Sequence, residues 1–133
     1  MNRNNYDEYL ALFNARDYHG VLSYWAEDFD LLIPGVRLRG AQQLLKFYGF
    51  LHSYLDEHIT IDEYVSDERL LAIEARVRIE GRRELTAETL AAAGYGALYP
   101  LAAGQVIVIP QLIHYHMVNG KFVKAMCTVV DQS

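Results

Sequence analysis

The sequence predicts an α+β fold in which three N-terminal helices pack on the concave face of a strongly bent, antiparallel or mixed β-sheet. Three observations carry this. Apolar residues recur at helical spacing near the N-terminus and again after Gly40. Two-residue alternation marks His58 to Val65 and again Leu70 to Glu80. Asn119-Gly120 separates two apolar, β-branched runs, as the tight turn of a hairpin does.

The elements follow in order. From Asn5 to Arg16, Tyr6, Tyr9, Leu10, Leu12 and Phe13 mark the stripe of a first helix, and Asp17 to Trp25 continues as a short second one. Phe29 to Arg39 reads as two short strands around Pro34-Gly35, a turn dipeptide. Ala41 to Leu55 carries Leu44, Leu45, Tyr48, Leu51, His52 and Leu55 on one helical stripe. His58 to Val65 and Leu70 to Glu80 are strands joined at Ser66-Asp67-Glu68, and the second sets Ile73, Ala75, Val77 and Ile79 against Glu74, Arg76, Arg78 and Glu80. Residues 82–104 hold a short helix and a loop long enough for a lid or a surface excursion, with 86–104 the part that could close over a site. The last hairpin pairs Val106–His116 with Lys121–Val130.

At 133 residues, 52% hydrophobic and 22% charged, the whole chain (1–133) reads as one domain with a real core. A net charge of -5 without a Lys/Arg cluster excludes nucleic acid as the expected partner. The single cysteine, Cys127, rules out an intramolecular disulfide framework and a cysteine-rich zinc site, and suits a reducing compartment. No signal-type stretch opens the chain, and no apolar run approaches the roughly 18 residues of a membrane span. A cytoplasmic protein that does not enter a membrane is expected.

His114-x-His116 is the feature with most chemical promise, since alternation puts both imidazoles on one face. Pairing outward from the turn sets His116 across from Val123, His114 from Ala125 and Leu112 from Cys127, a small apolar neighbourhood. An imidazole in an apolar cavity is biased toward its neutral form and accepts a proton near neutral pH. The other reading of His114 is a core histidine with its bonds satisfied. A metal chelate of His114, His116 and a third ligand drawn from His52 or a carboxylate is the weaker alternative, since spacing places no third ligand. Arg76 and Arg78 read as a solvated or dimer-facing row. Both hairpin faces are largely apolar, which points to a homodimer through the outer face of the sheet.

The order of elements, with Tyr9-x7-Asp17, Trp25-Ala-Glu-Asp-x5-Pro34, Gly40-x6-Phe47-Tyr48 and Gly120-Lys-Phe-Val, resembles the SnoaL-like and ketosteroid-isomerase-like branch of the nuclear-transport-factor-2 (NTF2-like) superfamily, over nearly the whole chain. The resemblance implies a cone-shaped α+β domain with a pocket between helices and sheet. It implies that Tyr9 donates to a substrate enolate and that Tyr48 supports it, with Trp25 in a third tyrosine's place. The isomerase's catalytic aspartate is replaced by Ile33, just before Pro34, and its oxyanion-hole aspartate by Leu112. Steroid isomerisation is therefore not expected.

The expected pocket wall is Tyr9, Phe13, Trp25, Tyr48, His52, Val77, Leu112, His114 and His116. The expected function is acid-base chemistry of isomerase, cyclase, dehydratase or lyase type, without cofactor or metal, on a small hydrophobic organic molecule of aromatic or polycyclic kind. His114 is the expected base and Tyr9 the oxyanion donor. A ligand-binding domain without turnover, or a protein-interaction module, are the alternatives.

Overall fold

Phe122 has no exposed surface and lies two residues after the Asn119-Gly120 turn, where both turn residues take positive φ (52° and 74°). Around it the chain builds a single six-stranded sheet. The computed structural model describes residues 1–131. They form α1 (Arg3–Asn14), α2 (Tyr18–Leu22), β1 (Trp25–Ile33), β2 (Val36–Arg39), α3 (Gly40–Leu51), β3 (Leu55–Ser66), β4 (Leu70–Gly81), α4 (Ala87–Ala92), β5 (Val106–Val118) and β6 (Lys121–Val129). The sheet order is β2-β1-β6-β5-β4-β3. β1 and β6 run parallel and every other pair is antiparallel.

The α+β architecture expected from the sequence is present, with boundaries moved at several places. α1 starts earlier, at Arg3, because Asn2 and Asn5 form a reciprocal capping box. α2 ends at Leu22, and Trp25 opens a strand instead of closing a helix. Pairing with Phe122 in the parallel ladder holds Trp25 there, with the two rings 5.2 Å apart. α3 ends at Leu51, and the chain re-enters the sheet at Leu55, three residues before the strand that alternation marked.

The largest correction concerns the hairpin. Val118 pairs with Lys121 and Met117 with Phe122, as the turn requires, but His116 then pairs with Lys124 and leaves Val123 unpaired in a bulge. Beyond it the register is one residue off the simple count: Tyr115 faces Ala125, His114 faces Met126, Ile113 faces Cys127 and Leu112 faces Thr128. The reason is bulk. The bulge lets Ala125 turn beneath the helices with Phe122, on the side where Ile113, Tyr115 and Met117 already point by the unbroken alternation of β5, and each is buried. His114 and His116 go to the opposite, helix-free face.

Aromatic rings then lock α1 to the sheet. Phe122 meets Tyr115 at 4.6 Å and Tyr9 at 5.1 Å between ring centroids, and the Tyr6 and Tyr115 hydroxyls share a 2.7 Å hydrogen bond. Phe122→Ala is expected to cost about 3–5 kcal/mol, the range for emptying a buried phenylalanine site. Urea unfolding followed by circular dichroism reads it directly, and a loss below about 1 kcal/mol would mean the rings close over the gap.

Candidate functional site

Between helices and sheet lies a cavity of about 620 Å³, a size typical of small-molecule sites. α1 contributes Tyr6, Tyr9 and Phe13, α3 contributes Phe47 and Tyr48, and β1 contributes Trp25, Leu31 and Ile33. Ile109, Ile113 and Tyr115 of β5 form much of the floor. The segment between β4 and β5, read from the sequence as a lid or a surface excursion, adds Leu98, Tyr99, Pro100 and Leu101 to the lining. It is anchored by reciprocal backbone bonds between Leu85 and Leu101 and by fully buried Leu90, while Tyr99 stands 91% exposed.

The wall is mostly aliphatic and aromatic, and no lysine, arginine or histidine lines it among the described residues. One carboxylate does. Glu57 follows Leu55 in the inward phase of β3, and only 13% of its side chain is exposed. A carboxylate taken from water into such surroundings needs hydrogen-bond donors to remain charged. His52, the C-cap of α3, provides one: its Nε2 is 2.8 Å from Glu57 Oε1. His52 is itself 5% exposed, and its Nδ1 lies 2.6 Å from the Tyr18 hydroxyl, with the two rings stacked at 12°.

The tyrosines supply the opposite polarity. Trp25 Nε1 donates to the Tyr9 hydroxyl at 3.2 Å, which leaves the Tyr9 hydrogen for a ligand. The Tyr48 hydroxyl has no hydrogen-bond partner among the described residues. Burial raises the Tyr9 pKa, opposed by the Trp25 hydrogen bond, and burial followed by the charge of Glu57 raises that of Tyr48. Both therefore stay protonated as donors through the physiological range.

Of the residues expected from the sequence, Tyr9, Phe13, Trp25 and Tyr48 meet at this cavity. His52 stands behind Glu57, off the wall itself. Val77 is buried between Ile59 and Ile109 in the sheet but does not border the space. Leu112, His114 and His116 are corrected: β5 alternates without a break, so the burial of Ile113, Tyr115 and Met117 beneath the helices puts all three on the other face, where Leu112 is 45% exposed. His114 cannot reach the cavity from there as a base. Its inward neighbours Gln111 and Ile113 hold the places that counting had given to Leu112 and His114. The three-histidine chelate is not assembled either, since His114 and His116, with rings 5.4 Å apart, are separated from His52 by the sheet. Burial, then His114 and Lys124, holds the His116 pKa below its ordinary value.

Glu57 and Tyr18 were missed in the sequence. Starting the strand at His58 hid the signal, a glutamate in phase with Leu55, Ile59 and Ile61.

The SnoaL-like domain model matches residues 6–125. The chain belongs to the SnoaL-like domain family. No curated protein matches it. Solved structures similar to this SnoaL-like chain include an NTF2-like protein of unknown function from Burkholderia pseudomallei, 16% identical, with TM-score 0.73 over 98% of this chain and 92% of that one. A putative polyketide cyclase from Pseudomonas putida is 23% identical, with TM-score 0.72 over 93% and 86%. TerC, co-crystallised with polyporic acid, is 13% identical, with TM-score 0.69 over 92% and 85%. At these identities the likeness establishes the fold alone.

Cys127 borders the same cavity, yet burial, with the charge of Glu57 adding to it, pushes its thiol up to about 12. Between pH 7 and 9 it is therefore a neutral, inert thiol. Reaction with an aromatic disulfide reagent at pH 8 is expected to be at least about 100-fold slower in the folded protein than in urea; equal rates would show that the cavity does not shield it.

Proposed function

We propose that this SnoaL-like domain is an acid-base enzyme acting, without a cofactor, on a small hydrophobic, ring-containing molecule. Glu57 takes a proton from carbon next to a carbonyl, and Tyr48 and Tyr9 donate hydrogen bonds to the oxygen on which negative charge then develops. The observation that carries this reading is Glu57 itself, a carboxylate on an otherwise apolar wall, bonded to the buried His52. Apolar walls keep water from competing for either partner, so each polar contact acts at low local dielectric. Because the wall bears a negative charge and no cation among the described residues, an uncharged substrate fits better than an anionic one. The aromatic lining and the polyporic acid held by TerC support a flat, ring-bearing molecule.

The probe of choice is 2-tetralone, a bicyclic ketone with acidic α-hydrogens. In deuterated water the protein is expected to accelerate exchange of those hydrogens, followed by NMR. Glu57→Gln is expected to lower the rate about 10²- to 10⁴-fold while tetralone still quenches the fluorescence of Trp25. A rate unchanged by the substitution removes Glu57 from the reaction. Binding without any exchange, in parent and variant alike, makes the chain a ligand-binding domain instead.

We also read the helix-free face as a homodimer face, on the strength of its exposed Val108, Leu112, Val118 and Met126. Analytical ultracentrifugation is expected to give a dimer for the parent and a monomer for Leu112→Glu; a monomeric parent at tens of micromolar discards the reading.

A further inference from the structure

We propose that Tyr18 is a positioning residue for Glu57 and acts through His52, so that Tyr18, His52 and Glu57 form one aligned chain of donors ending at the cavity. The inference rests on the reading of Glu57 as the base. It starts from a question of tautomers. A neutral imidazole has one hydrogen for two nitrogens, and the ring of His52 is hydrogen-bonded at both. Nε2 faces a carboxylate, which only accepts, so the hydrogen belongs there. Nδ1 must then accept, and Tyr18 is the group that can donate to it.

Tyr18 has a competing acceptor, the backbone carbonyl of Tyr48, and distance decides between them. The hydroxyl is 2.6 Å from Nδ1 and 3.4 Å from that carbonyl, a short hydrogen bond against one at the outer limit. Stacking of the two rings fixes the approach, and Phe13 and Tyr48 pack against the imidazole from other sides, so it cannot turn over. The remaining charged groups nearby act on the backbone. Arg16 and Arg82 both donate to the His52 carbonyl and pair with Asp56, and among the described residues Glu57 is the sole acidic side chain bonded to the ring.

Position in the fold explains why the third residue is needed. His52 caps a helix and Glu57 is the third residue of an edge strand, and the bond between them spans a tight connection. Without a partner at Nδ1 the imidazole hydrogen can move to that nitrogen, and Nε2 then presents a lone pair to the carboxylate. That arrangement repels the charged form of Glu57, which is the form a base requires.

Ring-nitrogen NMR of histidine-labelled protein tests the chain without any substrate. His52 is expected to show a protonated Nε2 and an unprotonated Nδ1 in the parent, and a mixture of tautomers in Tyr18→Phe. A hydrogen on Nδ1 in the parent overturns the proposal. Tetralone exchange supplies the second readout. Tyr18→Phe is expected to slow exchange about 10-fold and move its half-maximal rate to higher pH, with fluorescence-detected binding unchanged. His52→Gln, whose amide can still donate to Glu57, is expected to retain more activity than His52→Leu. If Glu57→Gln is inactive while Tyr18→Phe matches the parent in rate and pH profile, the positioning role fails and the base survives. If Glu57→Gln matches the parent, it is the base that fails.

Discussion

The cavity exists because Phe122 has to be inside. It follows a turn whose geometry allows one pairing, Met117 with Phe122, and it sits beside Trp25 in the one parallel ladder of the sheet. Those two demands fix where β6 begins. They do not agree with an unbroken alternation down β6, in which Ala125 would share a side with the exposed residues' partners, and the bulge at Val123 reconciles them. Once Val123 is stepped over, Ala125 and Cys127 point with Phe122 toward the helices, where Tyr115 and Ile113 already point by the unbroken alternation of β5 from Met117. The aromatic contacts from Tyr9 and Tyr6 then have a surface to rest on. A side chain without ionisable groups thus decides which ionisable groups can share the cavity.

A second constraint follows from this packing. A wall of leucine, isoleucine and aromatic rings makes a good container for an apolar molecule and a poor place for a charge. Glu57 is nonetheless there, and what makes it tolerable is the donor behind it, itself satisfied by a tyrosine. The two parts of the site therefore depend on each other. Apolar walls make a carboxylate base effective, and the polar chain behind the wall keeps that carboxylate in place. Arg16 and Arg82 add to this from outside by tying down the carbonyls of His52 and Leu55, which stiffens the connection between α3 and β3.

Much of this was legible in the sequence. The helical stripes containing Tyr9, Phe13 and Tyr48 predicted which aromatic side chains would meet, because a helix has one apolar face and a fixed period. Alternation set Arg76 and Arg78 opposite Val77, the family resemblance put Val77 inward, and the structure buries Val77 and exposes both arginines. The hairpin defeated the same rule, since one extra residue reverses every side chain beyond it and nothing local to Val123 announces the extra residue. What determines it is a contact with Trp25, nearly a hundred positions away in the chain. Glu57 was missed for a related reason: a charged residue at the start of a strand reads as its polar boundary, and only the pairing of Leu55 with Gly81 shows that the strand has already begun.

The displaced histidines and the relocated carboxylate together bear on how one fold changes its chemistry. Resemblance to the isomerases directs attention to an acid before Pro34 and another on β5, and both places are apolar or amide here, with Ile33, Gln111 and Ile113 at the wall. The one carboxylate on the wall comes from β3 instead, and Tyr9 and Tyr48 line the same cavity. A base and an oxyanion donor must stand on either side of the same carbon–carbonyl unit. On the proposed reading, a base on β3 opposite tyrosine donors decides which hydrogen of a bound ring can be reached. In the proposed reaction such a placement would set the regiochemistry without rebuilding the cavity, and it follows from where one glutamate falls in the alternation of an edge strand.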